Sequence, residues 1–158
     1  MLKVIGAALI LFAGVHTSYK LTAELKDKVE VISALADLTD HIGRCIYTER
    51  LPQSDIFRSF SSKALEKYGF IIQLNRNGLI SALETVKKLI PQNTEQAITT
   101  LAIRLGGINT DTQIKLCNET SKLLREEYNK QKNSYLDKRK MYRSLPILLA
   151  ASIIIMTL

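Results

Sequence analysis

Apolar residues recur along most of this chain in alternating steps of three and four, the spacing that gathers side chains on one face of an α-helix. Leu21, Leu25, Val29, Ile32, Leu35, Leu38, Ile42 and Cys45 form one such stripe, and Ile114, Cys117, Ser121, Leu124, Tyr128, Gln131 and Tyr135 form a second. No Pro or Gly lies between Gly14 and Gly43, so the first stripe predicts a long helix that continues out of the N-terminal apolar segment until Arg50-Leu51-Pro52 stops it. Thr110-Asp111-Thr112-Gln113 has the T-x-x-Q form of a capping box and starts the last helix. Between the two long arms, Ile56, Phe57, Phe60, Ala64 and Leu65 line a short helix, and Phe70-Ile71-Ile72 is too brief to assign by period. Asn75 and Asn77-Gly78 mark a turn. Leu79, Leu83, Val86 and Ile90 make an amphipathic helix ending at Pro91, and Asn93-Thr94 caps another with Ile98, Leu101 and Leu105 inward. Gly106-Gly107 supplies a left-handed stop. The predicted fold is all-α, an antiparallel helical bundle with long N- and C-terminal helices running into membrane segments.

The two ends change character. Val4 to Tyr19 holds no Asp, Glu, Lys or Arg, and neither does Leu145 to Leu158. Each is shorter than the ~20 residues of an ordinary membrane span, but Lys3 and Lys20 can snorkel from one and the interface can take Met141 and Tyr142 beside the other. Read as a secretory signal, the first segment lacks an A-x-A site, since Val15-His16-Thr17-Ser18 is a poor cleavage region. Just before the last segment, Lys138, Arg139, Lys140 and Arg143 form a basic collar. Positive charge on the inner flanks, here Lys20, Lys26, Lys28 and the collar, marks the cytoplasmic side of a membrane helix. The expected organisation is an N-terminal transmembrane segment at 1–19, a cytoplasmic helical-bundle domain at 20–143 and a C-terminal membrane segment at 144–158, held on the lipid bilayer of the cell membrane with the main domain facing the cytoplasm.

Composition and charge add little to that picture. The 158 residues carry a net charge of +7, which suits an acidic partner, yet much of the excess sits in the collar. Basic residues interleaved with stacking aromatics are missing elsewhere, so nucleic acid is not an expected partner, and a membrane-tethered nucleic-acid binder is kept only as an alternative. Cys45 and Cys117 lack C-x-x-C spacing and fall on the two apolar stripes, which reads as two buried, reduced thiols. His16 and His41 have no second metal ligand at helical spacing and read as polar surface residues. Ser59, Ser61 and Ser62 read as an exposed face with no His to activate them. Glu126-Glu127 before Lys130 reads as helix-surface pairing. No phosphate loop, G-x-S-x-G or H-E-x-x-H is present, so neither an enzyme nor a cofactor is expected.

Met1-Leu2-Lys3-x-x-Gly6-Ala7, then Leu105-Gly106 followed by Gln113-x-Lys115, then Lys140-Met141-x-Arg143-Ser144-Leu145-x-x-Leu148, resemble in order and placement the stage III sporulation protein AB family. The likeness covers essentially the whole chain. It departs from the family pattern at Asn109, where Asp is usual, at Leu51-Pro52, where Pro-Leu is usual, and at Pro146, where the family has Gly and where a bend or a helix start is expected. The resemblance implies a non-enzymatic component of the membrane complex joining mother cell and forespore, with a cytoplasmic domain like that of type II secretion platform proteins. It implies coupling of a cytoplasmic secretion-type ATPase to other membrane channel subunits, and hence a domain in the mother-cell cytoplasm. A platform protein of a type II secretion or pilus system outside sporulation is the alternative. The turn from Leu105 through Gln113 reads either as a plain helix stop and start or as the ATPase-docking end of the bundle, with Asn109, Asp111, Gln113 and Lys115 as the candidate partner-binding residues.

Overall fold

A computed structural model describes residues 2–48, 51–107 and 109–157, with side chains described at 12, 16, 19–48, 51–107, 109–142, 144, 148 and 152. The described residues form six α-helices and one 3₁₀ turn with no strand: α1 Leu2–Thr48, α2 Gln53–Arg58, α3 Lys63–Glu66, α4 Phe70–Val86, the 3₁₀ turn Lys87–Leu89, α5 Gln92–Arg104 and α6 Thr110–Thr157. The chain divides into two compact units, one of residues 27–130 and one of residues 1–26 with 131–158.

In the 27–130 unit the most deeply buried helix is α1, not α6. Val31, Ile32, Ala34, Leu35, Ala36, Leu38, Thr39 and Ile42 are all buried, which leaves little more than the Ser33, Asp37 and Arg44 directions for solvent. A helix apolar on most of its circumference has to be covered on most of its circumference. α6 covers one side with the expected seam, since Cys117, Thr120, Ser121, Leu124 and Glu127 are buried at steps of three and four. The short helices cover the rest with Ile56, Phe57, Leu65, Phe70, Leu74, Leu83, Ile98 and Leu101. Among these helices α4 packs against α2, α3 and α5.

The pairing of α1 with α6 is antiparallel. Arg125 bonds Asp37 and Asp40, Asp40 bonds Ser121, and farther along α1 a Cβ built on Gly43 would stand 3.2 Å from that of Cys117. Rising numbers on one helix therefore meet falling numbers on the other. Asp40 is the polar clamp of this seam. Burial alone would push its carboxyl up, but the Ser121 hydroxyl, the Arg125 guanidinium and nearby Arg44 together hold it below the usual carboxylate range. A group with a depressed folded pKa adds stability above its unfolded pKa of about 3.9 and gives it up as pH falls through the folded value. Arg125→Gln is therefore expected to cost less than about 1 kcal/mol at neutral pH, because the pair is half exposed. That cost should shrink toward zero as pH falls through the depressed folded value and Asp40 is protonated in both proteins. Urea melts of the two proteins at several pH values check it.

Several sequence expectations are corrected here. The segment read as one short helix through Leu65 is two, α2 and α3. Asn75 lies inside α4, and the break falls at Gly78 alone, whose φ of 84° and ψ of −179° only glycine adopts without strain. Asn93-Thr94 does not cap α5: the helix begins at Gln92, with Pro91 in the cap position making no side-chain cap bond and its carbonyl accepting the Glu95 amide at 3.0 Å. Thr94 is instead wholly buried. Pro146 lies within α6 and does not start a helix.

The second unit contains the two apolar ends. Phe12, Tyr19, Met141 and Leu148 are exposed there. Among the described residues no helix is long and apolar enough to cross a membrane. The expected segments at 1–19 and 144–158 consist mostly of side chains outside the described residues.

Candidate functional site

The turn between α5 and α6 builds a concavity in the 27–130 unit. α5 ends as Leu105 bonds back to Leu101, and Gly106 then turns the chain with a φ of 80°. The cap of α6 is Asn109, not Thr110: its side-chain oxygen accepts the Thr112 amide at 2.9 Å and its carbonyl accepts the Gln113 amide at 3.0 Å. Thr110 therefore sits in the first turn of the helix, and the T-x-x-Q motif is displaced by one residue from its expected register. Asn outranks Thr as a cap, and it stands one position earlier. Gln113 does reach back, as a capping-box glutamine should, but to the Gly106 amide at 3.3 Å, which ties the turn to the helix it feeds.

Beside this turn lies a groove of about 250 Å³, lined by Ile46 of α1, Leu51 of the following link, Gln53 and Ile56 of α2, and Leu105, Gly106, Thr110 and Gln113 of the turn. Its floor is apolar and its rim carries amide and hydroxyl groups, the composition that receives a side chain or short segment of another molecule. Of the four residues predicted for partner binding, Gln113 lines the groove and Asn109 is spent on the cap. Asp111 and Lys115 are exposed on the first turns of α6, Lys115 in a loose surface pair with Glu119 at 3.9 Å. The other wall, Ile46, Leu51, Gln53 and Ile56, has no local signal, because those residues come from α1 and α2 and meet the turn only in the folded unit.

The structure corrects the reading of His41. It is half-buried, with Nε2 at 3.2 Å from the Ile56 carbonyl and 2.9 Å from Ser59 Oγ, its ring 5.5 Å from Phe60, and Cys45 Sγ at 3.5 Å. A His is thus placed beside Ser59 after all. The geometry still gives no nucleophile. The Ser59 hydroxyl donates to the Ile56 carbonyl at 2.9 Å, so its proton is directed at the backbone and away from the imidazole. His41 instead pins α2 to α1.

Both cysteines are free and buried. Burial first, and the Asp40 carboxylate second, push the Cys117 thiol up to about 11, which keeps it protonated and inert. Among the described residues no three His, Cys, Asp or Glu side chains gather to hold a metal. In the second unit Lys138, Arg139 and Lys140 are exposed, with Arg139 6.0 Å from the Tyr135 ring centroid. The side chain of Arg143 lies outside the described residues.

The family profile of stage III sporulation protein AB matches residues 3–158. The chain belongs to that family. No curated protein and no solved structure matches it. Membership makes this a protein of the third stage of sporulation, in a family that is not a known enzyme family. The residues that carried the resemblance in the middle of this family member, Leu105-Gly106 and Gln113-x-Lys115, are the turn and the first turns of α6 beside the groove.

Proposed function

We propose that this protein is a non-enzymatic, membrane-anchored component of the channel complex that joins mother cell and forespore, and that it couples a cytoplasmic secretion-type ATPase to membrane channel subunits. The groove at the α5–α6 turn carries the reading: an apolar floor with a polar rim, flanked by the exposed Asp111 and Lys115, is a receiving surface without catalytic groups. The ATPase docks there, and the two long helices link that end to the bilayer.

Two observations support the anchoring half. Each long helix carries a run without Asp, Glu, Lys or Arg, Val4 to Tyr19 on α1 and Leu145 to Leu158 at the end of the chain, and each run is flanked by basic residues, Lys20 in one case and Lys138, Arg139, Lys140 and Arg143 in the other. In the C-terminal apolar run, the Ser152 hydroxyl donates to the Leu148 carbonyl at 2.8 Å, the internal bond that a hydroxyl in hydrocarbon needs.

The orientation is tested by cysteine labelling. Asn93 is exposed on α5, while the native thiols are buried. In intact cells Asn93→Cys should stay unlabelled by an impermeant maleimide and should label after the membrane is opened. Labelling in intact cells would put the bundle outside the cytoplasm and end this proposal.

A further inference from the structure

We infer that Lys138, Arg139 and Lys140 form a headgroup-binding band on α6 that selects anionic phospholipids over zwitterionic ones. The inference rests on the membrane-anchored reading above and adds the chemistry of the lipid. Consecutive helical residues point about 100° apart, so three in a row face three different directions. A protein partner meets one face of a helix, whereas a headgroup layer surrounds a helix that passes through it. All three side chains are exposed, and among the described residues none is paired with a carboxylate, although Asp137 precedes them directly.

The surroundings of the band are those of a bilayer boundary. Arg139 lies over the ring of Tyr135, one turn earlier on α6, Tyr142 is half-buried, and Met141 is half exposed. Aromatic rings beside cations at the edge of an apolar run are the interfacial pattern of membrane helices. From there on the helix satisfies its own hydroxyls, as Ser144 donates to the Met141 carbonyl at 3.0 Å. A zwitterionic headgroup brings its own cation to its phosphate. An anionic one offers a phosphate without a counter-charge, and three cations without carboxylates are complementary to it.

The test uses the full chain reconstituted in phosphatidylcholine vesicles with a trace of spin-labelled phosphatidylglycerol or spin-labelled phosphatidylcholine, and reads the fraction of label immobilised by the protein. Phosphatidylglycerol should be favoured about two- to five-fold in low salt, and the preference should fall in ~1 M salt, where the Debye length is ~3 Å. Lys138→Gln with Arg139→Gln and Lys140→Gln should abolish it, while Lys138→Arg with Lys140→Arg keeps it. Vesicles that float with the protein but show equal preference in the native and Gln-substituted chains would overturn the lipid inference and leave anchoring intact. A chain that does not float with vesicles of either lipid would defeat the anchoring reading and this inference together.

Discussion

Leu124→Ala should destabilise the bundle by about 2 to 5 kcal/mol. Leu124 has no solvent exposure and stands midway along the buried stripe of α6, with Ser121 and Glu127 buried one turn to either side. Removing its branched end takes apolar contact from both α6 and the helices facing it. Little nearby can refill the space, because the short Cys117, Thr120 and Ser121 side chains bring the helices close together along this seam. In a unit of this size ~1 kcal/mol moves the melting temperature by roughly 4–8 °C, so a drop of at least ~8 °C is expected in the full chain in detergent. Leu136→Ala, at a side chain that is 40% exposed, is the matched control and should change stability by less than ~0.5 kcal/mol. Equal effects of the two substitutions would mean that the α6 stripe is not a core seam.

The two arms were legible in the sequence because periodicity alone defines them. Every residue named in the α6 stripe from Cys117 to Leu124 is buried, and the stripe turns half-buried from Tyr128 on, where Tyr128, Gln131 and Tyr135 carry it. What periodicity concealed was rank. A stripe records the face a helix shares with one neighbour, and it was read on both arms alike. The burial of Val31, Ala34 and Ala36 beside the α1 stripe gives that helix neighbours on several sides. The short helices were harder. Six residues in α2 and four in α3 are too few for a 3.6-residue period to repeat, and their boundaries are fixed by what they cover on α1.

Caps and sites failed in a more instructive way. Thr110-x-x-Gln113 and Asn93-Thr94 are both sound motifs, but Asn109 caps α6 one residue before Thr110, and α5 starts behind Pro91 with no side-chain cap at all. The His41 contact with Ser59 joins residues 18 apart on different helices, where no local spacing rule applies. The groove beside the α5–α6 turn was half legible. The turn was visible as glycine, cap and polar residues, while the Ile46, Leu51 and Ile56 floor was visible only as generic apolar positions. Those three residues line one concavity with Leu105 only because α1, the link before α2, α2 and the α5–α6 turn meet in the folded unit.

Asp111→Arg together with Lys115→Glu should abolish capture of the ATPase and block sporulation while leaving the protein folded. Both side chains are exposed, and neither contributes to the core. The stability cost is bounded: Asp111 in the first turn of α6 favours the helix dipole by ~0.3–1 kcal/mol, and the loose Lys115–Glu119 pair is worth a few tenths. A loss of function far larger than that cost would have to come from the surface itself. The groove supplies an independent arm. Gln53 is exposed at its mouth, and Gln53→Trp should fill it without touching either charge. If the partner seats a side chain on the Ile46–Leu105 floor, the Trp variant loses capture as the charge reversal does, with circular dichroism and melting temperature near those of the native chain. Normal sporulation in both folded variants would leave the turn as only a cap and move the docking surface elsewhere on the bundle. Loss in the charge reversal alone would assign docking to the α6 face and leave the groove without a role.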